Sequence, residues 1–139
     1  MNWVERQYAR EQNLKDVATL WSDVYTAISS AVASWNKLYR QGQPQIEILD
    51  TEAHGHIQIA CPTQSEGIVR ISVNLNGDKF FAHYSSSLNN RTFHIDADHE
   101  AAFIKCGTER CDADEVSKRI LEPALRPEKL GGPRSQRIL

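Results

Sequence analysis

The sequence predicts an α+β domain in which a long N-terminal helix packs on an antiparallel sheet of about six strands in meander order, followed by a shorter C-terminal helix and a disordered tail. Three observations carry this reading. Between Trp3 and Arg40 there is neither Gly nor Pro, and apolar residues recur at steps of three and four. From Ile46 to Cys106 the period falls to two, and after Asp112 the helical spacing returns.

The 139 residues, 40% of them apolar, suffice for one compact core and leave no room for two. A single domain over residues 1–125 and a flexible basic tail over 126–139 are expected. Lys and Arg number 16 against 18 Asp and Glu, without a long single-sign run, which argues against strong polyanion binding. No apolar window approaches the roughly 18 residues of a membrane-spanning helix. The opening Met1-Asn2-Trp3-Val4-Glu5-Arg6 is charged and lacks the apolar core of a secretion signal. The chain therefore reads as soluble and cytoplasmic.

In the first helix, Leu14, Val17, Trp21, Val24, Ile28, Ala31, Trp35 and Leu38 form the apolar stripe, widened by Leu20, Tyr25, Val32 and Tyr39. Such breadth suits a helix lying on a sheet better than a narrow coiled-coil seam. Gly42 and Pro44 end it. A helix from Trp3 to Arg40 would be roughly 57 Å long, more than one domain needs, so the first dozen or so residues are expected to break off or project.

Ile46 and Ile48 begin a short strand, Ile57, Ile59 and Cys61 alternate in the next, and Val69, Ile71, Val73 and Leu75 in a third. Asn76-Gly77 supplies the positive φ angles of a type I′ hairpin turn. Centred there, the turn sets Val73 opposite Phe80, Ile71 opposite Ala82, Val69 opposite Tyr84 and Arg70 opposite His83. A strand from Arg91 to Ala97 puts Phe93 and Ile95 inward, with Tyr84 opposite Phe93. A turn at Asp98-His99 returns the chain through Ala101 to Cys106, with Ala102 and Ile104 inward. Asp112 or Asp114 caps the last helix, whose apolar face is Val116, Ile120, Leu121, Ala124 and Leu125, and which Pro123 should distort or end.

Catalytic and metal chemistry find weak support. Cys106-x4-Cys111 could offer two thiolates to zinc, with His54, His56 or Cys61 completing the set, but zinc sites usually announce themselves with two tight pairs and the second here would be only His54-Gly55-His56. The expectation is no metal and no cofactor. Cys61 and Cys106 read as buried small hydrophobes, Cys111 as a loop thiol, and all three as reduced. Cys111 near a helix N-terminus has no histidine placed beside it, and Asp96, Asp98 and Glu100 read as a solvated turn. No catalytic residue is assigned, and an enzyme is not the expectation.

The outward parity of the strands is more informative. The expected registers put Arg70, His83, His94 and Phe103 in one cross-strand row, with Ser72, Phe81, Asp96 and Ala101 in the next. This mixture of aromatic, basic and acidic groups is either covered by the last helix through Val116, Ile120 and Leu121 or is a recognition surface. Arg70, Phe81, His83, His94, Asp96 and Phe103 are the predicted partner-binding residues, and the two histidines would make the contact pH-sensitive.

The function expected is that of a small non-catalytic protein-binding domain of adaptor, chaperone, inhibitor or immunity type, using the sheet face or the long helix. Its partner is another protein. Homodimerisation through the helix, which carries Trp3, Trp21 and Trp35, is a second route to association. The alternative is a ligand carrier or enzyme with a pocket between curved sheet and helix, lined by Tyr84, Phe93 and Cys61. Nucleic-acid binding would rest on Arg126, Lys129, Arg134 and Arg137 of the tail, a thin electrostatic footprint.

Overall fold

A capping box opens the chain's first helix: Asn2 accepts from the Glu5 backbone N–H, and Glu5 accepts from the Asn2 N–H, both at 2.9 Å. The computed structural model describes residues 1–49, 55–63, 67–86 and 88–130, with side chains through residue 125. Over these residues the helical stretch is two elements, α1 (Trp3–Asn13) and α2 (Val17–Tyr39). The break falls where the Asp16 side chain accepts from Thr19 Oγ1 at 2.8 Å. None of α1's residues is buried, and Trp3, Val4 and Tyr8 stand exposed on it. Its Arg10 and Asn13 side chains tie it to the sheet by donating to the backbone carbonyls of Ala97 and Asp98.

On α2, Trp21, Val24, Ile28 and Val32 are buried, while Val17, Leu20, Ala31 and Trp35 are partly so. The stripe is narrower than expected, for Tyr25, Leu38 and Tyr39 are exposed. Asn36 closes the end of α2 onto the first strand by donating to the Ile46 carbonyl and accepting from the Ile46 N–H, both at 2.9 Å.

The sheet is a meander of β1 (Glu47–Leu49), β2 (His56–Pro62), β3 (Ile68–Asn76), β4 (Lys79–Tyr84), β5 (Arg91–Ala97), β6 (Ala102–Cys106) and β7 (Glu109–Cys111), each strand antiparallel to the next. The expected sheet lacked β7, a three-residue strand too short for an alternating pattern. The two turns at β3–β4 and β5–β6 lie one residue further along than expected. Gly77 and Asp78 form the first, so Leu75 faces Phe80, Val73 faces Ala82 and Ile71 faces Tyr84. Centring the turn there lets Leu75 pair with an aromatic ring instead of Asp78. A two-residue slip preserves which side chains face inward, so periodicity cannot detect it. Likewise β5 meets β4 with Phe93 opposite Phe80, not Tyr84, and Ala97 faces Ala102 across the next turn.

Asp112 caps the final helix, α3 (Ala113–Leu130), by accepting from the Glu115 N–H at 2.8 Å. The helix runs through Pro123 to Leu130, correcting the expected stop near Pro123. Proline costs a helix interior about 3 kcal/mol. Burial of Ile120 and Leu121 before it and of Ala124 and Leu125 after it offsets that cost. The side chains of residues 126–130, and residues 131–139 entirely, lie outside the described residues, as therefore do the expected basic positions Arg126, Lys129, Arg134 and Arg137.

Both α2 and α3 pack on the same face of the sheet. The core joins Trp21, Val24 and Ile28 of α2 and Val116, Ile120 and Leu125 of α3 to inward strand residues including Ile59, Ile71, Val73 and Phe80. Trp21 and Phe80 stack at 5.9 Å, and the Tyr84 hydroxyl donates to the Ile120 carbonyl at 2.6 Å. Tyr84, Phe93 and Cys61, which the alternative reading placed around a pocket, are all part of this packed core. Of the two alternatives for the other sheet face, cover by α3 is excluded, because the apolar residues of α3 are already buried beside α2. The reading of all cysteines as reduced is also corrected: Cys106 and Cys111 form a disulfide across the β6–β7 hairpin, which brings their Cα atoms to 6.0 Å, while Cys61 is buried.

Candidate interaction surface on the open face of the sheet

Every second strand residue points away from the helices, and none of the outward positions is fully buried. All six predicted partner-binding residues lie on this face, but not in the predicted rows. Arg70 stands opposite Ala60, and its backbone bonds Ser85. His83 faces Ser72, Phe81 lies between Asn74 and Thr92, His94 lies between Lys79 and Lys105, and Asp96 faces Phe103. The altered registers of three hairpins convert one row into a staggered diagonal.

A row the sequence reading missed crosses four strands: Lys79, His94, Lys105 and Arg110, each paired with the next. Lys79 was legible as outward by parity, but its alignment depended on the turn. Arg110 was missed because β7 was. Its guanidinium carbon lies 3.7 Å from the centre of the Phe103 ring, a cation–π contact that holds the aromatic against the row. Phe81 and His83 lie nearby with ring centroids 6.1 Å apart.

Two acidic residues next to the row, Asp96 and Asp98, are already engaged. Asp96 accepts from the Ala97 N–H at 2.8 Å and from the Arg10 guanidinium at 2.7 Å, and these bonds, the backbone one first, hold its carboxyl below the usual carboxylate range. Asp98 accepts from Arg110 at 2.8 Å, and from the backbone N–H groups of Ala101 and Glu100 at 3.0 and 2.8 Å. Arg110 first, then the two N–H groups, keep its carboxyl far below that range. With both of these carboxylates bound by arginines, Lys79 and Lys105 make the part of the face around the row locally basic.

Among the described residues no group of three or more His, Cys, Asp or Glu is placed to hold a metal ion, and His54 of the candidate zinc set lies outside them. Among the same residues no helix is long and apolar enough to cross a membrane. Comparison of the chain with protein-family models, with curated proteins and with solved structures finds no match in any of the three.

Proposed function

We propose that this domain binds another protein through the open face of its sheet, and that the partner presents an acidic segment there. The observation that carries the proposal is the cross-strand row Lys79, His94, Lys105 and Arg110, bordered by Phe81 and Phe103 on a face that neither α2 nor α3 covers. Exposed ion pairs contribute little affinity individually, so the cations orient and steer the partner. The rings of Phe81 and Phe103, only partly buried, supply contacts that gain from losing their remaining water. Lys79, Lys105 and Arg110 are too few cations to track a continuous phosphate backbone, and the chain has no net positive charge to supplement them. A protein segment whose acids alternate with apolar residues fits better than a nucleic acid.

The test combines zero-length carbodiimide cross-linking in cell extract with mass spectrometry, comparing the native chain with a Lys79→Glu/Lys105→Glu variant. The expected product joins Lys79 or Lys105 to an Asp or Glu of a protein and is absent with the variant, whose unfolding free energy stays within about 0.5 kcal/mol of native. Recovery of nucleic acid bound to this face, or of a partner whose capture the double reversal leaves unchanged, would refute the proposal.

A further inference from the structure

The β6–β7 hairpin has two sides. Lys105 and Arg110 stand on the open one. The Cys106–Cys111 bridge fastens the other, where Cys111 packs at the margin of the core and Cys106 is 8% exposed. Beside Cys106 an open cavity of about 210 Å³ lies among β5, the β6–β7 turn and α3. Cys106 and Gly107 form part of its wall, as do two arginines, Arg91 of β5 and Arg119 of α3. Arg119 donates to Glu115 at 2.8 Å and is neutralised by it. Arg91 has no carboxylate partner among the described residues, and the Tyr84 phenol on which its charge acts is neutral at ordinary pH. Glu109, paired with Cys106 across the hairpin, is exposed and is not part of the wall.

An anion entering this space meets an uncompensated guanidinium, whose fork of donors matches a carboxylate, beside a wall made in part by a bridged cysteine. A small thiol that carries a carboxylate answers both features. We infer that the cavity admits such a thiol, whose sulfur exchanges with the Cys106–Cys111 bridge while Arg91 holds its carboxylate. The incoming thiolate bonds to Cys106, the Cys106–Cys111 bond breaks, and its electron pair leaves on Cys111. Cys111 directly precedes Asp112, the cap of α3, so the departing thiolate forms close to the positive end of that helix. A second small thiolate then attacks the mixed disulfide at the small thiol's sulfur and frees Cys106. Two small thiols become one small disulfide, and the two protons they gave up end on Cys106 and Cys111. The exchange does not depend on a partner at the open sheet face.

3-Mercaptopropionate and 2-mercaptoethanol, one with a carboxylate and one without, serve as probes on the full chain. Samples are quenched with acid and alkylated in denaturant, so the bridged chain takes one alkyl group, at Cys61, and the reduced chain takes three. Mass spectrometry over time gives the rate of reduction. Arg91→Gln is expected to slow reduction by 3-mercaptopropionate roughly two- to fivefold and to leave the 2-mercaptoethanol rate unchanged, while Arg91→Lys keeps most of the native rate. Added salt is expected to slow only the anionic probe. The 2-mercaptoethanol rate also reports whether a variant has loosened the hairpin, since loosening speeds both probes alike. Equal effects of Arg91→Gln on the two probes, including none on either, would overturn the inference. So would a bridge that neither probe opens while the chain stays folded, or an air-equilibrated chain that takes three alkyl groups before any thiol is added.

Discussion

Tyr84 shows how one side chain can serve both the core and the attachment of a helix. Its ring sits on the inward face of β4, and its hydroxyl donates to the Ile120 carbonyl of α3 at 2.6 Å. Burial is the main reason that its phenol is pushed up to about 12 from an ordinary 10.0, with Arg91 opposing the shift. The folded chain therefore keeps this proton where the unfolded chain has lost it. The contribution is whole below pH 10 and is lost as the pH rises to about 12. Tyr84→Phe is expected to cost about 0.5 to 1.5 kcal/mol at neutral pH and to flatten the fall in stability across that alkaline window. Denaturant unfolding of both proteins at several alkaline pH values measures it; parallel slopes would mean that Tyr84 does not cause the fall. The hydrogen bond was invisible in the sequence, which marked Tyr84 as inward but could not place Ile120 above it. Asp98 was half legible. Its role in a turn followed from residue type, whereas its bond to Arg110 required a strand that three residues do not announce.

At the scale of elements, the β3–β4 hairpin separates what pattern determines from what turn geometry determines. Alternation from Val69 to Leu75 and from Phe80 to Tyr84 correctly assigned the inward face, because a one-residue error would invert it. Alternation could not choose between turn centres one residue apart, which differ by a two-residue register shift and leave the faces intact. Gly77, at φ 64°, occupies the left-handed region under either alignment. A β-branched residue there is strongly disfavoured, and Gly77→Val is expected to cost at least about 1 to 2 kcal/mol. Chemical denaturation is the measurement, and unchanged stability would show that the hairpin tolerates a different turn. The break between α1 and α2 was legible as excess length. The continuation of α3 past Pro123 was not, because its compensation comes from tertiary burial of Ala124 and Leu125 that local propensity cannot contain.

For the molecule as a whole, the decisive fact is that both long helices share one face of the sheet. The sequence identified the apolar residues of α3 but not the layer they join, since the same stripe could have closed either face. Once α3 lies beside α2, the residues of each strand divide into a packed side and an open one, and the candidate surface follows from that division. Phe80 and Phe81 make the division measurable because they are adjacent in the chain and identical in chemistry. Phe80 is fully buried and stacks on Trp21, whereas Phe81 is only partly buried between Asn74 and Thr92. Phe80→Ala should cost about 3 to 5 kcal/mol, through lost burial and the cavity left behind. Phe81→Ala should cost about 1 kcal/mol or less while weakening capture of the partner. The paired measurement is unfolding free energy with partner cross-linking for both variants. Similar large stability losses at the two positions would mean that the face bearing Phe81 is covered in the folded protein. In that case the row of Lys79, His94, Lys105 and Arg110 would not be open to a partner.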